Sequence, residues 1–276
     1  MSLHDELVVG VSVNNVTGIT GKHYGLPDLF HSAREAEWKT RVDLAAAYRL
    51  MAHYGVQDLT YNHLSARVPD APDHILIKPY TVMFEEVTAS TLIKYDYDGN
   101  AVLGDHPKLI GGGLIIHAGL LKARMDLNAV FHTHTVAVMG VSAMKDGLLP
   151  INQHAMRFYG QLAYHDFQGF EFDPAMSGVL ERDLGDKMVM MLRNHGSLIC
   201  GRSIPEAFVL HHYFEMACRG QVAAFAAGRD NIVLPSPEAC EYARQQAESN
   251  SANLAGGKDW PACLRLAERL DPAFME

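Results

Sequence analysis

The sequence predicts a single α/β domain with an extension at each end, on three observations. The chain has 276 residues, enough for one large hydrophobic core. Short apolar runs of strand length alternate with stretches of helical period, the order that an α/β domain produces. No internal repeat or low-complexity tract interrupts them. The expected organisation is an N-terminal arm over residues 1–30, a central domain over 31–235, and a C-terminal extension over 236–276 that carries a short helix.

The arm shows no sustained period. Ser32 to Glu35 reads S-A-R-E, a capping-box pattern. Behind it Trp38, Val42, Ala45, Ala46 and Leu50 recur at helical spacing, and Gly55 supplies a stop. "ILIKPY" (75–80) reads as a strand, and "LIKYDYDGNAVLG" (92–104) as a hairpin about Asp98-Gly99-Asn100. "GGGLIIHAGLLKAR" (111–124) reads as a glycine-rich loop entering a short helix. Asn128 to His134 forms a buried strand and Val136 to Met144 a helix. "DKMVMMLRNHG" (186–196) is an apolar strand ending in a turn, continued by "SLICG". Met188, Met190 and Met191 within it are core residues rather than a copper site. S-I-P-E at Ser203 to Glu206 caps a helix that runs to about Ala227. After Pro235 the chain turns polar, and "WPACLRLAERL" closes it with an amphipathic piece.

Composition excludes some functions. The formal net charge of −9 argues against a nucleic-acid or anionic-lipid surface. No window approaches the ~18 apolar residues of a membrane span, and the first residues lack the pattern of a signal peptide. A cytoplasmic protein with a small-molecule substrate is expected. Cys200, Cys218, Cys240 and Cys263 form no C-x-x-C pair, so free thiols are expected.

The 15 histidines direct attention to "VFHTHT". Residues i and i+2 of a strand project from one face, roughly 7 Å apart. His132 and His134 are therefore either two ligands of one cation or two hydrogen-bonded polar residues. His195, in "LRNHGSLICG", follows an apolar strand beside Gly196, where α/β folds gather their sites. Taken together, His132, His134 and His195 point to a divalent-metal site of the three-histidine kind. His211 and His212 diverge by about 100° on one helix and cannot share a site, so they are expected at the surface or an interface.

"VFHTHTVAVMGVSAMKDGLLPINQ", "YHDFQG" and "LRNHGSLICG…EAFVLHHYFEMACRGQ" resemble the class II aldolase/adducin family, over about Trp38 to Gly228. The resemblance implies a three-layer α/β/α domain with a mixed central sheet, in a cyclic homotetramer with sites near subunit interfaces. It implies that His132, His134 and His195 hold a divalent cation, zinc first, with manganese or iron as alternatives. The family's aldolases carry a catalytic glutamate whose place falls on Gly113. Their phosphate-binding serines fall on Gly111 and Gly112, and further substrate-contact segments fall on Asn62-His63 and Tyr80-Thr81. A sugar-phosphate aldol cleavage therefore lacks its base and its phosphate cradle. Glu85, Glu86, Glu268 and Asp271 are the candidate carboxylate donors from another subunit.

His154 falls where the aldolases place a catalytic tyrosine and is the candidate proton carrier. His63 and Lys78 are candidate substrate contacts, Lys78 being otherwise a solvated strand residue. His117 is expected to cap or pack, and Arg67 is either a family position or a structural ion pair. The expected function is a metal-dependent lyase acting on a small oxygenated carbonyl or keto acid, decarboxylation being favoured because it needs no base to open a hydroxyl. The alternatives are an adducin-like scaffold without activity and, third, an iron oxygenase or a dehydratase.

Overall fold

The computed structural model describes residues 35–170, 173–250 and 257–276. The expected arm and the S-A-R-E cap begin outside the described residues. The first helix, α1 (Glu35–His53), buries Trp38, Val42, Ala45, Ala46 and Leu50, the residues its period selects. It ends before Gly55, whose φ of +74° is the left-handed geometry that favours glycine at a helix stop. Arg41 is buried in α1 against Glu37 and the carbonyls of Ala89 and Leu92, which ties the helix to the segment entering the third strand.

Seven strands make one sheet: β1 (His63–Val68), β2 (Ala71–Ile77), β3 (Ile93–Asp96), β4 (Ala129–Thr133), β5 (Leu162–His165), β6 (Val189–Leu192) and β7 (Gly196–Gly201), in the order β3-β2-β1-β4-β7-β6-β5. Only β5 and β6 run parallel, so the sheet is mixed, as the resemblance implied. The hairpin expected over 92–104 is reduced to β3 plus one bridge, Tyr95 to Ala101, closed by the Asp96 carboxylate on the N–H groups of Asp98 and Asn100. β6 and β7 form the tight hairpin that carries His195, with Asn194 in the left-handed region at φ +56°.

Alternation divides the strand residues between two cores. Leu64, Ala66, Phe131, Met191 and Ile199 face a layer containing α1, α3 (Val136–Ser142), α6 (Ile204–Phe225) and α8 (Asp259–Leu270). Ile75, Ile77, Val130, Met190 and Leu198 face a layer made by α2 (Gly119–Ala123), the π-helical turns before it and α5 (Met176–Leu184). The three-layer arrangement follows directly. Met190 and Met191 are fully buried, one on each side.

Three elements differ from the sequence reading. The triple glycine does not precede a helix as a loop: helical turns already begin at Gly111, and Gly113–Ala118 is wound as a π-helix. The polar stretch after Pro235 is helical, as α7 (Pro237–Ser249), N-capped by Ser236. It carries one buried residue, Cys240, so it offers almost no apolar stripe for a periodicity reading to find. The S-I-P-E box at α6 forms only by half: Ser203 caps the Glu206 N–H, but the Glu206 carboxylate accepts from Arg202 instead. The four cysteines are free.

Candidate metal centre

The site lies where β4 ends beside β1 and β7. In the β1–β4 register His63 stands opposite His132, so both rings leave the same face of the sheet. His134 follows two residues later, just past the strand, and the β6–β7 turn brings His195 alongside. His134 Nε2 lies 2.9 Å from His132 Nε2 and 3.0 Å from His195 Nε2. Among the described residues, these three form the group whose potential metal-ligating atoms all lie within 4.8 Å of one another.

The far side of two rings fixes their tautomers. His132 Nδ1 donates to the Ser197 carbonyl at 2.9 Å, and His134 Nδ1 donates to the Asp58 carboxylate at 2.8 Å. With Nδ1 committed on both rings, the two Nε2 atoms point at each other, the arrangement in which a cation between them would be held by both lone pairs. Burial first, then the neighbouring His134, His63 and His195, hold the His132 pKa well below its ordinary value, so this ring stays neutral. Tetrahedral zinc takes neutral imidazoles at about 2.0–2.1 Å, a geometry these converging nitrogens fit. His132, His134 and His195 are the residues that would hold such an ion.

Asp58 was not singled out from sequence, and Asn62 was noted only as part of the Asn62-His63 segment that the resemblance matched to a family substrate contact. The Asn62 side-chain oxygen accepts from the His134 backbone N–H at 3.0 Å, and its buried Nδ2 has no hydrogen-bond partner among the described residues. Asp58 belongs to no motif of fixed spacing. The role of both residues arises from the segment before β1 folding over the end of β4.

His63 is held at Nδ1 by His117 Nε2 at 2.6 Å, and its ring centroid lies 5.1 Å from that of His132. Burial, then the His117, His134, Lys78 and His195 charges, push its pKa well down. Lys78 is buried, with its ammonium on the carbonyls of Thr60 and Pro79. Burial pushes it down to about 8, against an opposing pull from Glu86. It is therefore not a solvated strand residue. His154 lies elsewhere in this chain, stacked on Tyr213 of α6 with ring centroids 5.0 Å apart. Its buried Nδ1 has no hydrogen-bond partner among the described residues.

Three other residues are now explained. Arg67 spends its guanidinium on backbone carbonyls of Pro72, Leu121, Arg124 and Leu127, so it is structural, though not as an ion pair. His211, expected at the surface or an interface, is instead buried within this chain on the opposite face of the sheet, bonded to Thr133 Oγ1 at 2.8 Å. Helical neighbours do diverge, and here one of the pair turns into the core. At Gly113 an added Cβ would lie 2.6 Å from Leu109 Cδ1, so the Leu109 side chain would have to shift to admit a larger residue. Leu109 thus packs over the position to which the resemblance assigns the aldolases' glutamate.

Comparison with known proteins agrees with this architecture. The sequence profile of the class II aldolase and adducin N-terminal domain matches residues 42–222. A Caulobacter vibrioides protein bearing an aldolase class 2 name is 42% identical over 243 residues, spanning 88% of this chain and 94% of its own. Rat alpha-adducin is 39% identical over 223 residues, which cover 79% of this chain and 30% of the adducin. The crystal structure of an aldolase II superfamily protein from Pseudomonas syringae superposes with a TM-score of 0.85 at 42% identity, covering 91% of this chain and all of that one. An L-fuculose 1-phosphate aldolase from Glaciozyma antarctica shares the fold at TM-score 0.74 and 23% identity, over 94% and 97% of the two chains. With its mixed sheet and its three histidines at the end of the central strand, the chain belongs to the class II aldolase/adducin family.

Proposed function

We propose that the protein is a metal-dependent lyase acting on a small keto acid or similar oxygenated carbonyl compound, and that it favours decarboxylation over cleavage of a sugar phosphate. The observation that carries this reading is the convergence of His132, His134 and His195, with two of the rings anchored from behind. A divalent cation, zinc before manganese or iron, would supply there a positive charge that polarises a carbonyl oxygen. The chain itself contributes orientation. Ser197 and Asp58 fix two rings, while His63, paired with His132 across the strands, and Lys78, at the end of the adjoining strand, are proposed as substrate contacts.

Decarboxylation needs the carbonyl oxygen to accept charge as carbon dioxide leaves, and then a proton at carbon. Neither step calls for the carboxylate that Gly113 lacks. His154 remains the proposed proton carrier. Since it is stacked on Tyr213 in this chain, that role would be exercised in a site shared between copies of a homo-oligomer.

The similarity to alpha-adducin supports a second reading, a scaffold that keeps the domain without the reaction. Elemental analysis of protein purified without added metal or chelator, followed by carbon dioxide release from a panel of β-keto acids, separates the two. About one metal ion per chain together with turnover supports the lyase. No metal after reconstitution, and no turnover, supports the scaffold.

A further inference from the structure

Behind His63 runs a chain of polar groups that none of the metal-site contacts requires. Ser65 Oγ lies 2.6 Å from His117 Nδ1, and His117 Nε2 lies 2.6 Å from His63 Nδ1. Ser65 and His117 are fully buried. Ser65 stands two residues after His63 on β1, on the same face, and His117 descends onto both from the π-helical turns. The free end of the chain is His63 Nε2, which faces Gly112: a Cβ built at Gly112 would sit 3.2 Å from that nitrogen.

The proton positions follow from hydrogen-bond bookkeeping. Burial, then the neighbouring His132, push the His117 pKa down to about 3, with the Val130 backbone opposing, so His117 carries one ring proton. The Ser65 hydroxyl has two possible acceptors: His117 Nδ1 at 2.6 Å, or the Val130 carbonyl at 3.5 Å, the outer limit for such a bond. Were the proton on His117 Nδ1 instead, directed at Ser65 Oγ or at the Val130 carbonyl that it also neighbours, the hydroxyl would keep only the 3.5 Å contact, so the hydroxyl is assigned as donor of the short one. His117 Nδ1 is then an acceptor, its Nε2–H donates to His63 Nδ1, and the His63 proton resides on Nε2. A Cβ at Gly112 would stand 3.2 Å from His63 Nε2 and 3.3 Å from its Cε1, crowding the edge of the ring beside this proton.

We propose that Ser65 and His117 are positioning residues that lock His63 as an Nε2–H tautomer, making His63 a donor to an anionic substrate oxygen, carboxylate or enolate, beside the histidine trio. The donor role rests on the reading of this pocket as the reactive site. The tautomer does not. A donor here suits a keto acid better than a phosphate ester, because one neutral N–H offers directional recognition of a single oxygen with no cluster of cations.

The test is ¹⁵N NMR of histidine-labelled protein, metal-free and zinc-loaded, with the His63 signals assigned through a His63→Gln variant. The wild type should show His63 as the Nε2–H tautomer in both forms. Ser65→Ala and His117→Ala should mix the tautomers. His117→Gln, whose amide can donate from nearly the same place as Nε2–H, should restore the single form. In the zinc-loaded protein, oxalate should shift the His63 Nε2–H resonance, and should bind about tenfold more weakly to Gly112→Ala, the cost of one hydrogen bond. An Nδ1–H tautomer in the wild type overturns the proposal without any variant needing to fold. A folded His117→Ala protein with an unchanged His63 spectrum overturns the positioning role. If the protein takes up no zinc, the lyase reading fails, while the metal-free tautomer still decides the chain. A correct tautomer with no response to oxalate in zinc-loaded protein overturns the donor role.

Discussion

Asp58 Oδ2 accepts a hydrogen bond from His134 Nδ1 at 2.8 Å, so a loop residue 76 positions upstream sets the direction in which His134 presents its other nitrogen. The carboxylate raises the basicity of the imidazole and holds its plane, and such contacts behind a ligand are worth roughly 10–100-fold in metal affinity. Asp58→Ala is expected to weaken zinc binding by about that factor with the fold unchanged. Competition against a chelator of known affinity, with circular dichroism on the same samples, makes the check. Wild-type affinity in the variant would show that Asp58 does not orient the ring.

The ligands themselves give a sharper expectation. His132→Ala or His195→Ala should reduce bound metal from about one ion per chain to a trace, since two imidazoles hold a divalent cation far less firmly than three. The His132 ring lies on the face opposite the large core that holds Phe131, so little apolar packing is lost with it. Elemental analysis beside thermal unfolding of the metal-free forms separates lost metal from lost fold. Full occupancy in both variants would remove the trio from consideration.

The histidine trio was legible because two short-range rules apply to it. Period two puts His132 and His134 on one side of a strand, and N-H-G marks a turn after an apolar run. Asp58, Ser65 and the partner role of His117 were not legible. Their meaning depends on the register of β1 against β4 and on the depth at which the π-helical turns sit over both, which are long-range packing outcomes. The glycine triplet misled for the same reason. Glycine has poor helix propensity, yet right-handed helical turns follow at once from Gly112, one residue after Gly111 at φ +57°. His211 was misplaced because amphipathicity in α6 is weak: the helix is buried on much of its circumference, so its apolar residues do not mark which histidine faces in.

The buried histidines away from the trio predict an acid limit to stability. Burial, then His212 and Arg219, push the His211 pKa down to about 3, and His117 is pushed down to about 3 as well. In the unfolded chain a histidine titrates near 6.5. Between those values the unfolded state binds the proton and the folded state does not. The contribution is complete above pH 6.5 and is lost as pH falls toward 3, by about 1.4 kcal/mol per pH unit for each histidine. In His211→Gln, which keeps a donor for Thr133 Oγ1, the fall in unfolding free energy between pH 6 and 4 should be shallower by about one proton. Urea titrations across that range, with wild type and variant treated alike for metal, read the slope. Equal slopes would mean that His211 already protonates in the folded protein.

Gly113 and Leu109 carry the last prediction, because they decide whether the family's glutamate can be restored. A Cβ at position 113 would lie 2.6 Å from Leu109 Cδ1, and Leu109 is itself buried. The backbone at Gly113 is helical, so strain would come from packing and not from φ. Gly113→Glu alone is expected to cost about 1–3 kcal/mol of stability, the usual range for overfilling a packed site. Leu109→Ala alone should also destabilise, by leaving a cavity. Combined, the two should cost less than the sum of the single changes, because the cavity of one receives the side chain of the other. A double-mutant cycle in urea measures that coupling. Additive effects would show that Leu109 swings aside freely, and that the missing carboxylate is not excluded by packing. A coupled pair with measurable retro-aldol activity would show the opposite: that leucine in place of glutamate turns this pocket away from aldol chemistry.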